Sequence, residues 1–286
     1  MQRIRQADTA NLLLRAMDPL DFAVLQPDLA RVPRLGGCGI GKAGEAIESC
    51  WFSEGAVAAF LDSDGAGRNA AIGMIGREGF IGWAILLGAR RWSHDAVVRA
   101  GDGPAIRIDS DKLLAACAAR PTLHMFLLRF INVFVVQMGR TMMAGIVQPA
   151  RQRLACWLLL FHDRIGGDEI AVTHQEIAVM LGIRRASATD CLHLLEGELA
   201  IRSRRACIHI RDRAKLEAIA GEAYGVAEAE YRFLIGPFGR YPHLTDTADT
   251  ENPVRRACVP KETIGIDARL SLQASRRLGA PCNGAY

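Results

Sequence analysis

The residues with the clearest chemistry in this chain are basic side chains near residue 200. Between Leu199 and Lys215 the one acid is Asp212, whereas lysine or arginine stands at six positions, 202, 204, 205, 211, 213 and 215. Phosphate oxygens are the natural partners of such a cluster, because phosphate contacts supply most of the affinity of DNA-binding proteins. The formal net charge of the whole chain is only +4, so it is the local cluster that favours a nucleic-acid partner.

Two short helices and a hairpin are predicted to position these cations. Thr173 and Glu176 have the spacing of a capping box, which predicts a helix start. Gly182 supplies a tight turn, and apolar residues at 188, 191, 192 and 195 predict a second helix. Apolar and basic residues then alternate from 201 to 212, which predicts a hairpin. The pattern is typical of a winged helix-turn-helix, although a solvated helical hairpin is the simpler alternative.

The motif assigns DNA contacts by position. The second helix of such a motif enters the major groove with its N-terminal end. Arg185 could bind a guanine through O6 and N7, which contributes about 1–3 kcal/mol of base discrimination. The wing cations should hold phosphates and fix the register rather than read sequence. The predicted DNA-binding residues are Thr173, His174, Arg184, Arg185, Ser187, Thr189, Arg202, Arg204 and Arg205.

The rest of the chain predicts a mixed α+β protein. Frequent glycines and short apolar runs between about 31 and 108 indicate a β-barrel or jelly roll, with strands at 56–61 and 95–100. A long helix follows at about 122–148, in which apolar residues step by three and four as in a coiled coil. We expect this helix to form a dimer interface, with burial inside one subunit as the alternative. The predicted interface residues are Leu128, Ile131, Val135, Met138 and Met142.

Several protein classes are disfavoured by composition. No apolar run reaches the roughly 18 residues that span a bilayer, and no secretory signal is evident, so we expect a cytoplasmic protein without a membrane partner. Eight scattered cysteines show no metal-binding spacing, and Cys117, Cys156 and Cys191 are predicted to be core residues. No hydrolase, metalloprotease or P-loop motif is present, which argues against an enzyme. Periodicity fades after about 236, which predicts a disordered tail at 237–286.

In order, these elements resemble the CRP/FNR family of bacterial transcription regulators. The resemblance covers roughly residues 10–236 and rests on GMIGREGFIG (73–82), RQRLACWLLLFHDRIGGDE (151–169) and THQEIAVMLGIRRASATDCLHLLE (173–196). It implies a cyclic-nucleotide-binding-like β-roll at 10–120, a dimerisation helix at 121–148 and a winged helix-turn-helix at 149–225. It also implies a homodimer on a near-palindromic site in double-stranded DNA, with RNA polymerase as a partner.

The sequence departs from this family at the recognition helix. Arg185 stands at the position of the family's first arginine, but Ala186 replaces a glutamate and Asp190 replaces a later arginine. The preferred half-site should therefore differ from that of the cyclic-AMP receptor.

The family's nucleotide determinants are also altered. By resemblance, the effector pocket would include Gly79, Gly82, Arg91 and Ser93. Trp83 stands where cyclic-AMP-binding members have a glutamate for the ribose, which disfavours a cyclic nucleotide. Two cysteines before residue 100 do not make an iron–sulfur site.

No cofactor is assigned, and a haem ligand among the histidines at 94, 124, 162 and 174 stays open. The alternative function is a cyclic-nucleotide-domain signalling or scaffold protein without specific DNA readout.

Overall fold

The computed structural model describes residues 3–35, 40–64, 69–101 and 103–240. The helices are α1 Leu12–Ala16, α2 Pro19–Leu25, α3 Ser110–Ala119, α4 Pro121–Val147, α5 Ala150–Arg164, α6 His174–Leu181, α7 Arg185–Gly197, α8 Arg213–Ala220 and α9 Val226–Leu234. The strands are β1 Ala30–Val32, β2 Ser49–Ser53, β3 Val57–Ser63, β4 Asn69–Ile75, β5 Asp95–Ala100, β6 Ala105–Asp109, β7 Glu169–Ile170, β8 Ile201–Arg204 and β9 Cys207–Ile210.

Residues 30–109, which we call the β-roll, contain two small antiparallel sheets. Their strand orders are β1-β6-β2 and β4-β3-β5. Strand β2 pairs with β6 from Ser49 opposite Asp109 to Ser53 opposite Ala105. Side chains from both sheets and from α4 share one hydrophobic core. The α+β fold class predicted from the sequence is confirmed.

The sheet β4-β3-β5 is buried on both faces. Residues 57–61 of β3 are all buried, although successive side chains of a strand point to opposite sides. Ala58 and Phe60 lie in the core of the β-roll, whereas Val57 and Ala59 lie in a second core with α5, α6 and α7. The continuous apolar run therefore marks a strand that has a partner on each face.

That second core belongs mainly to residues 150–220, which we call the winged-helix region. A capping box starts α6, because the Thr173 side chain accepts from Glu176 N and the Glu176 carboxylate accepts from Thr173 N. Gly182 ends α6 in the left-handed conformation, with φ of 63°, and α7 follows after two residues. Strands β8 and β9 form the wing, and β7 pairs with β9. The predicted helices, turn and hairpin are confirmed.

Helix α4 has a different exposed stripe from the predicted one. Ile131 is 4% exposed and lies in the core of the β-roll, and the half-buried Met138 packs against the same core. The exposed side chains include Val135 (49%) and Met142 (62%). With the half-buried Leu128 they belong to a stripe at 125, 128, 132, 135, 139, 142 and 146. The predicted interface is thus corrected at Ile131, which is buried in the chain's own core. Leu128 and Met138 are both half-buried, and both also pack against that core.

By length and composition, α4 is also apolar enough to cross a membrane, with a mean hydropathy of 1.4 over its best window. Among the described residues no other helix passes this test. Core helices of soluble proteins pass it too, and α4 contributes Leu123, Leu127, Phe130 and Phe134 to the core of the β-roll.

Helix α9 was not predicted from the sequence. It packs along α4, and Tyr231 is buried. The predicted tail at 237–286 also needs correction at its start, because Phe238 is buried and Arg240 forms hydrogen bonds. Residues 241–286 lie outside the described part of the chain.

Candidate nucleic-acid interface

An open groove of about 600 Å³ runs between the start of α6, the start of α7 and the wing. Its cationic side chains are Arg185, Arg204 and Arg205, and no carboxylate is among its described lining residues. The other lining residues are Thr173, His174, Gln175, Ser203 and Ala206. Five of the nine predicted DNA-binding residues thus meet at one surface; Gln175 and Ser203 were not predicted.

His174 joins the three walls of this groove. Its Nδ1 lies 3.0 Å from the Thr189 hydroxyl on α7, and its Nε2 lies 3.4 Å from the Ser203 hydroxyl on β8. The Thr189 hydroxyl also donates to the carbonyl of Arg185, at 3.1 Å. The Thr189 hydroxyl therefore has partners within the protein, whereas the exposed Arg185 is free to contact DNA. The DNA contact of Thr189 stays a prediction. These bonds fix the spacing between the recognition helix and the wing.

The other predicted residues lie beside the groove. Arg184 is the exposed residue that precedes α7, and its side chain caps no backbone N–H. Ser187 is half-buried in the first turn of α7, and Arg202 is exposed on β8. The first turn of α7 contains no acidic residue. The backbone N–H groups at a helix start have no partner within the helix, and with the helix dipole they add to the positive potential at this end of α7.

The wing turn has an unusual backbone. Arg205 and Ala206 connect β8 to β9, and Ala206 has a φ of 53°, in the left-handed region. Glycine adopts this conformation without a steric penalty, whereas alanine does not. Strand β8, which leads into this turn, is bound to α7, since the Glu196 carboxylate accepts from Ser203 N at 3.1 Å.

The predicted effector residues lie in two environments. Gly79 and Gly82 are buried, and a Cβ at Gly79 would lie 1.9 Å from Cζ of Phe130. Arg91 and Ser93 are exposed, and Arg91 donates to the carbonyl of Gly44 at 2.8 Å. None of the four lines the cavity of about 960 Å³ that opens beside Trp51, Trp92 and Arg107. The assignment of these four residues to an effector pocket stays a prediction.

Trp83, which by the sequence resemblance stands where cyclic-AMP-binding members have a glutamate, belongs to an aromatic cluster. The ring of Trp83 lies 5.4 Å from the ring of Phe134 on α4 and 6.5 Å from the ring of Phe60. The rings of Phe60 and Phe134 are 5.2 Å apart. Three aromatic side chains thus fill the space between the β-roll and α4 at this point.

The buried cysteines match their predicted role as small core residues. Cys117, Cys156 and Cys191 are buried and unpaired. Burial raises the pKa of the Cys156 thiol to about 12 and that of Cys117 to about 11. A thiol with such a pKa stays protonated and is a poor nucleophile or metal ligand. Among the described residues, no group of three or more His, Cys, Asp or Glu side chains could hold a metal ion.

The motif, the groove and the fold can be compared with known proteins. Residues 152–219 match the model of the Crp-like helix-turn-helix domain. The chain carries a Crp-like helix-turn-helix domain. The matched stretch of this Crp-like domain runs from α5 through the wing into α8, and it contains every residue that lines the groove.

Solved structures extend the likeness from the Crp-like domain to the β-roll. A CRP-family transcriptional regulator from Thermus thermophilus matches with a TM-score of 0.56 and 20% identity, over 68% of this chain and 98% of its own. FixK2 from Bradyrhizobium japonicum matches with a TM-score of 0.56 and 15% identity, over 68% and 98%. The c-di-GMP-responsive regulator CLP of Xanthomonas campestris gives 0.53 and 14%, over 68% and 99%. The chain thus has the fold of a CRP/FNR transcription regulator. No curated protein matches the sequence.

Proposed function

We propose that this chain is a transcription regulator of the Crp/Fnr type that binds a specific site in double-stranded DNA as a homodimer. The observation that carries the proposal is the groove at the starts of α6 and α7, where three arginines face solvent with no carboxylate among the described lining residues. Such a surface suits two neighbouring phosphates and the edge of a major groove.

Within this proposal the residues divide into two roles. Arg185 is exposed at the first position of α7, so its guanidinium is free to reach a base edge. Two side chains on the wing, Arg204 and Arg205, bind backbone phosphates, together with Arg184 and Arg202 beside the groove. His174 holds Thr189 and Ser203 in place and so positions the recognition helix against the wing.

The dimer forms along the exposed stripe of α4 in this proposal. The stripe steps by three and four residues from Met125 to Ile146, with Asn132 and Gly139 between the apolar residues. A sustained spacing of this kind is the pattern of a two-stranded coiled coil, in which one polar residue can fix the register. Two copies joined here would present two recognition helices to half-sites about one helical turn apart.

In this proposal the chain has three functional domains. Residues 10–120 serve as a sensor domain, 121–148 as the dimerisation helix and 149–225 as the DNA-binding domain. The protein acts in the cytoplasm, without catalysis, and contacts RNA polymerase as the family resemblance implies. The alternative is a cyclic-nucleotide-domain signalling or scaffold protein without specific DNA readout. It is disfavoured because Trp83, which by resemblance stands at the position of the family's ribose-binding glutamate, packs its ring 5.4 Å from the ring of Phe134.

The test of DNA binding is selection of bound sequences from random duplex DNA by the purified full chain. The selection is run at about 50 mM and about 200 mM salt, because phosphate contacts weaken steeply over this range. An enriched palindrome with half-sites about one turn apart is expected. Weak binding that enriches no motif at either salt concentration would contradict sequence-specific regulation.

The dimer interface is tested separately by light scattering. The double substitution Val135→Glu and Met142→Glu places two carboxylates in each exposed stripe and should give monomers, because charges buried between apolar helices are costly. The control is Leu20→Glu with Leu87→Glu, two other exposed apolar residues, at 67% and 58%. A dimer that persists in the first variant would place the interface elsewhere.

A further inference from the structure

The last described segment, residues 226–240, lies outside the matched Crp-like domain and spans two parts of the fold. We call it the C-terminal strap. It begins with α9, which packs along α4, and Glu230 on α9 accepts from Asn132 Nδ2 at 3.1 Å. The strap therefore starts on the helix that lines the β-roll.

The middle of the strap contacts the β-roll. Tyr231 is 1% exposed, and its hydroxyl donates to the carbonyl of Glu78 at 2.9 Å. Glu78 lies just after β4, the strand that also touches α6. The ring of Phe238 lies 4.9 Å from the ring of Tyr231, so the two aromatic side chains form one cover.

Beneath this cover lies an ion pair that joins the β-roll to the winged-helix region. Arg164 Nε, at the end of α5, lies 2.7 Å from Glu78 Oε1, and the two side chains are 2% and 3% exposed. The guanidinium of Arg164 lies 5.3 Å from the centre of the Phe238 ring. The Glu78 carboxylate also accepts from Gly76 N at 3.0 Å.

The end of the strap is fixed on the winged-helix region. Arg240 donates to the Asp168 carboxylate at 2.8 Å and to the carbonyl of Ile165 at 3.0 Å. Its backbone N–H donates to the Asp163 carboxylate at 3.2 Å. These groups belong to the end of α5 and the turn that follows it, so both ends of the strap are anchored on different parts of the fold.

The strap keeps water away from the Glu78–Arg164 ion pair. An ion pair attracts far more strongly in a low-dielectric interior than in water, and it breaks easily once water reaches it. We propose that the C-terminal strap locks the winged-helix region onto the β-roll by sealing the Glu78–Arg164 ion pair from solvent. The winged-helix region then cannot turn about the α4–α5 junction at Gln148 and Pro149 unless the strap lifts.

The experiment is amide hydrogen exchange of the full chain, resolved by segment. Phe238→Ala removes the ring over Arg164, and Tyr231→Phe removes only the hydroxyl bond to Glu78 while keeping the ring. Phe233→Ala is the control, because this residue lies on the same helix and is 55% exposed. Exchange in 76–80 and 160–168 should rise at least about tenfold in Phe238→Ala and less in Tyr231→Phe. It should not change in Phe233→Ala.

Two results would overturn the proposal. Unchanged exchange in both segments of both variants would show that the strap does not seal the ion pair. A uniform rise that includes the wing at 201–210 would show general loss of stability instead of a lock. Tyr231→Phe leaves the packed volume intact, so it reports even if Phe238→Ala fails to fold. The exchange is measured without DNA, so the result is independent of the proposed DNA binding.

Discussion

The substitution Gly79→Ala tests whether Gly79 is needed for close packing in the core of the β-roll. A Cβ at this position would lie 1.9 Å from Cζ and 2.1 Å from Cε2 of Phe130, whereas ordinary contact begins at 3.4 Å. The Phe130 ring would have to retreat by 3.4 − 1.9 = 1.5 Å. It has little room, because it is 2% exposed and its centre lies 5.6 Å from the ring of Phe80.

The expected magnitude follows from this clash. Overpacking a filled core costs about 1–3 kcal/mol. For a fold of this size that lowers the melting temperature by about 2–12 °C, at roughly 2–4 °C per kcal/mol. The assay is thermal unfolding followed by circular dichroism. Gly166→Ala is the control, since nothing lies within 4 Å of its Cβ, and it should change stability by less than about 0.5 kcal/mol.

A double variant tests whether the clash is with Phe130. Phe130→Leu removes ring atoms at the point of the clash, so adding it to Gly79→Ala should cost less than the two separate losses combined. A Gly79→Ala protein that melts like the unchanged chain would refute the packing argument. Additive losses in the double variant would refute the assignment of the clash to Phe130.

Two further predictions concern the winged-helix region. Arg185→Ala should relax base preference at one position of the selected site by about 1–3 kcal/mol, because the bidentate donor is lost; competition with single-base variants measures it. The control Arg211→Ala removes an equal charge outside the groove and should leave the base preference unchanged. Equal relaxation of the base preference in both variants would show that Arg185 does not read a base. Burial lowers the pKa of His162 below its usual value of 6.5, and the hydrogen bond to Asp168, which raises the pKa, only partly offsets this effect. The unfolded chain therefore binds more protons, so stability is complete above about pH 6.5 and is lost as the pH falls through the lower folded pKa. Urea unfolding at about pH 5 and about pH 7.5 should show this loss of stability. The loss should be smaller in His162→Gln and unchanged in the control His193→Gln, which alters an exposed histidine. A loss that is the same in His162→Gln would assign the pH dependence to another group.

Local sequence signals were sufficient for the elements of the winged-helix region. The Thr173–Glu176 capping box, the left-handed Gly182 and the alternation of the wing all depend on residues close in sequence. Such signals act through neighbouring backbone groups, so they predict a helix start or a turn without knowledge of the rest of the fold.

The effector residues and the helix stripe required the tertiary structure. Gly79 belongs to a glycine-rich motif, but its close approach to the ring of Phe130, which is distant in sequence, is seen only in the fold. On α4 the step of three and four residues fits two registers, and the sequence favoured the one with more apolar side chains. The sheets cover Ile131, whereas Asn132 and Gly139 lie on the exposed stripe.

The sequence by itself determined a basic winged helix-turn-helix preceded by a long helix and a β-rich domain. Only the tertiary structure decided which face of α4 is free, which glycines are packed, and that residues 226–240 close over the Glu78–Arg164 pair. The physical reason is the distance along the sequence between the residues that interact. Caps, turns and amphipathic periods are fixed by residues within a few positions of one another, whereas burial of an ion pair depends on side chains from separate elements that meet only in the folded chain.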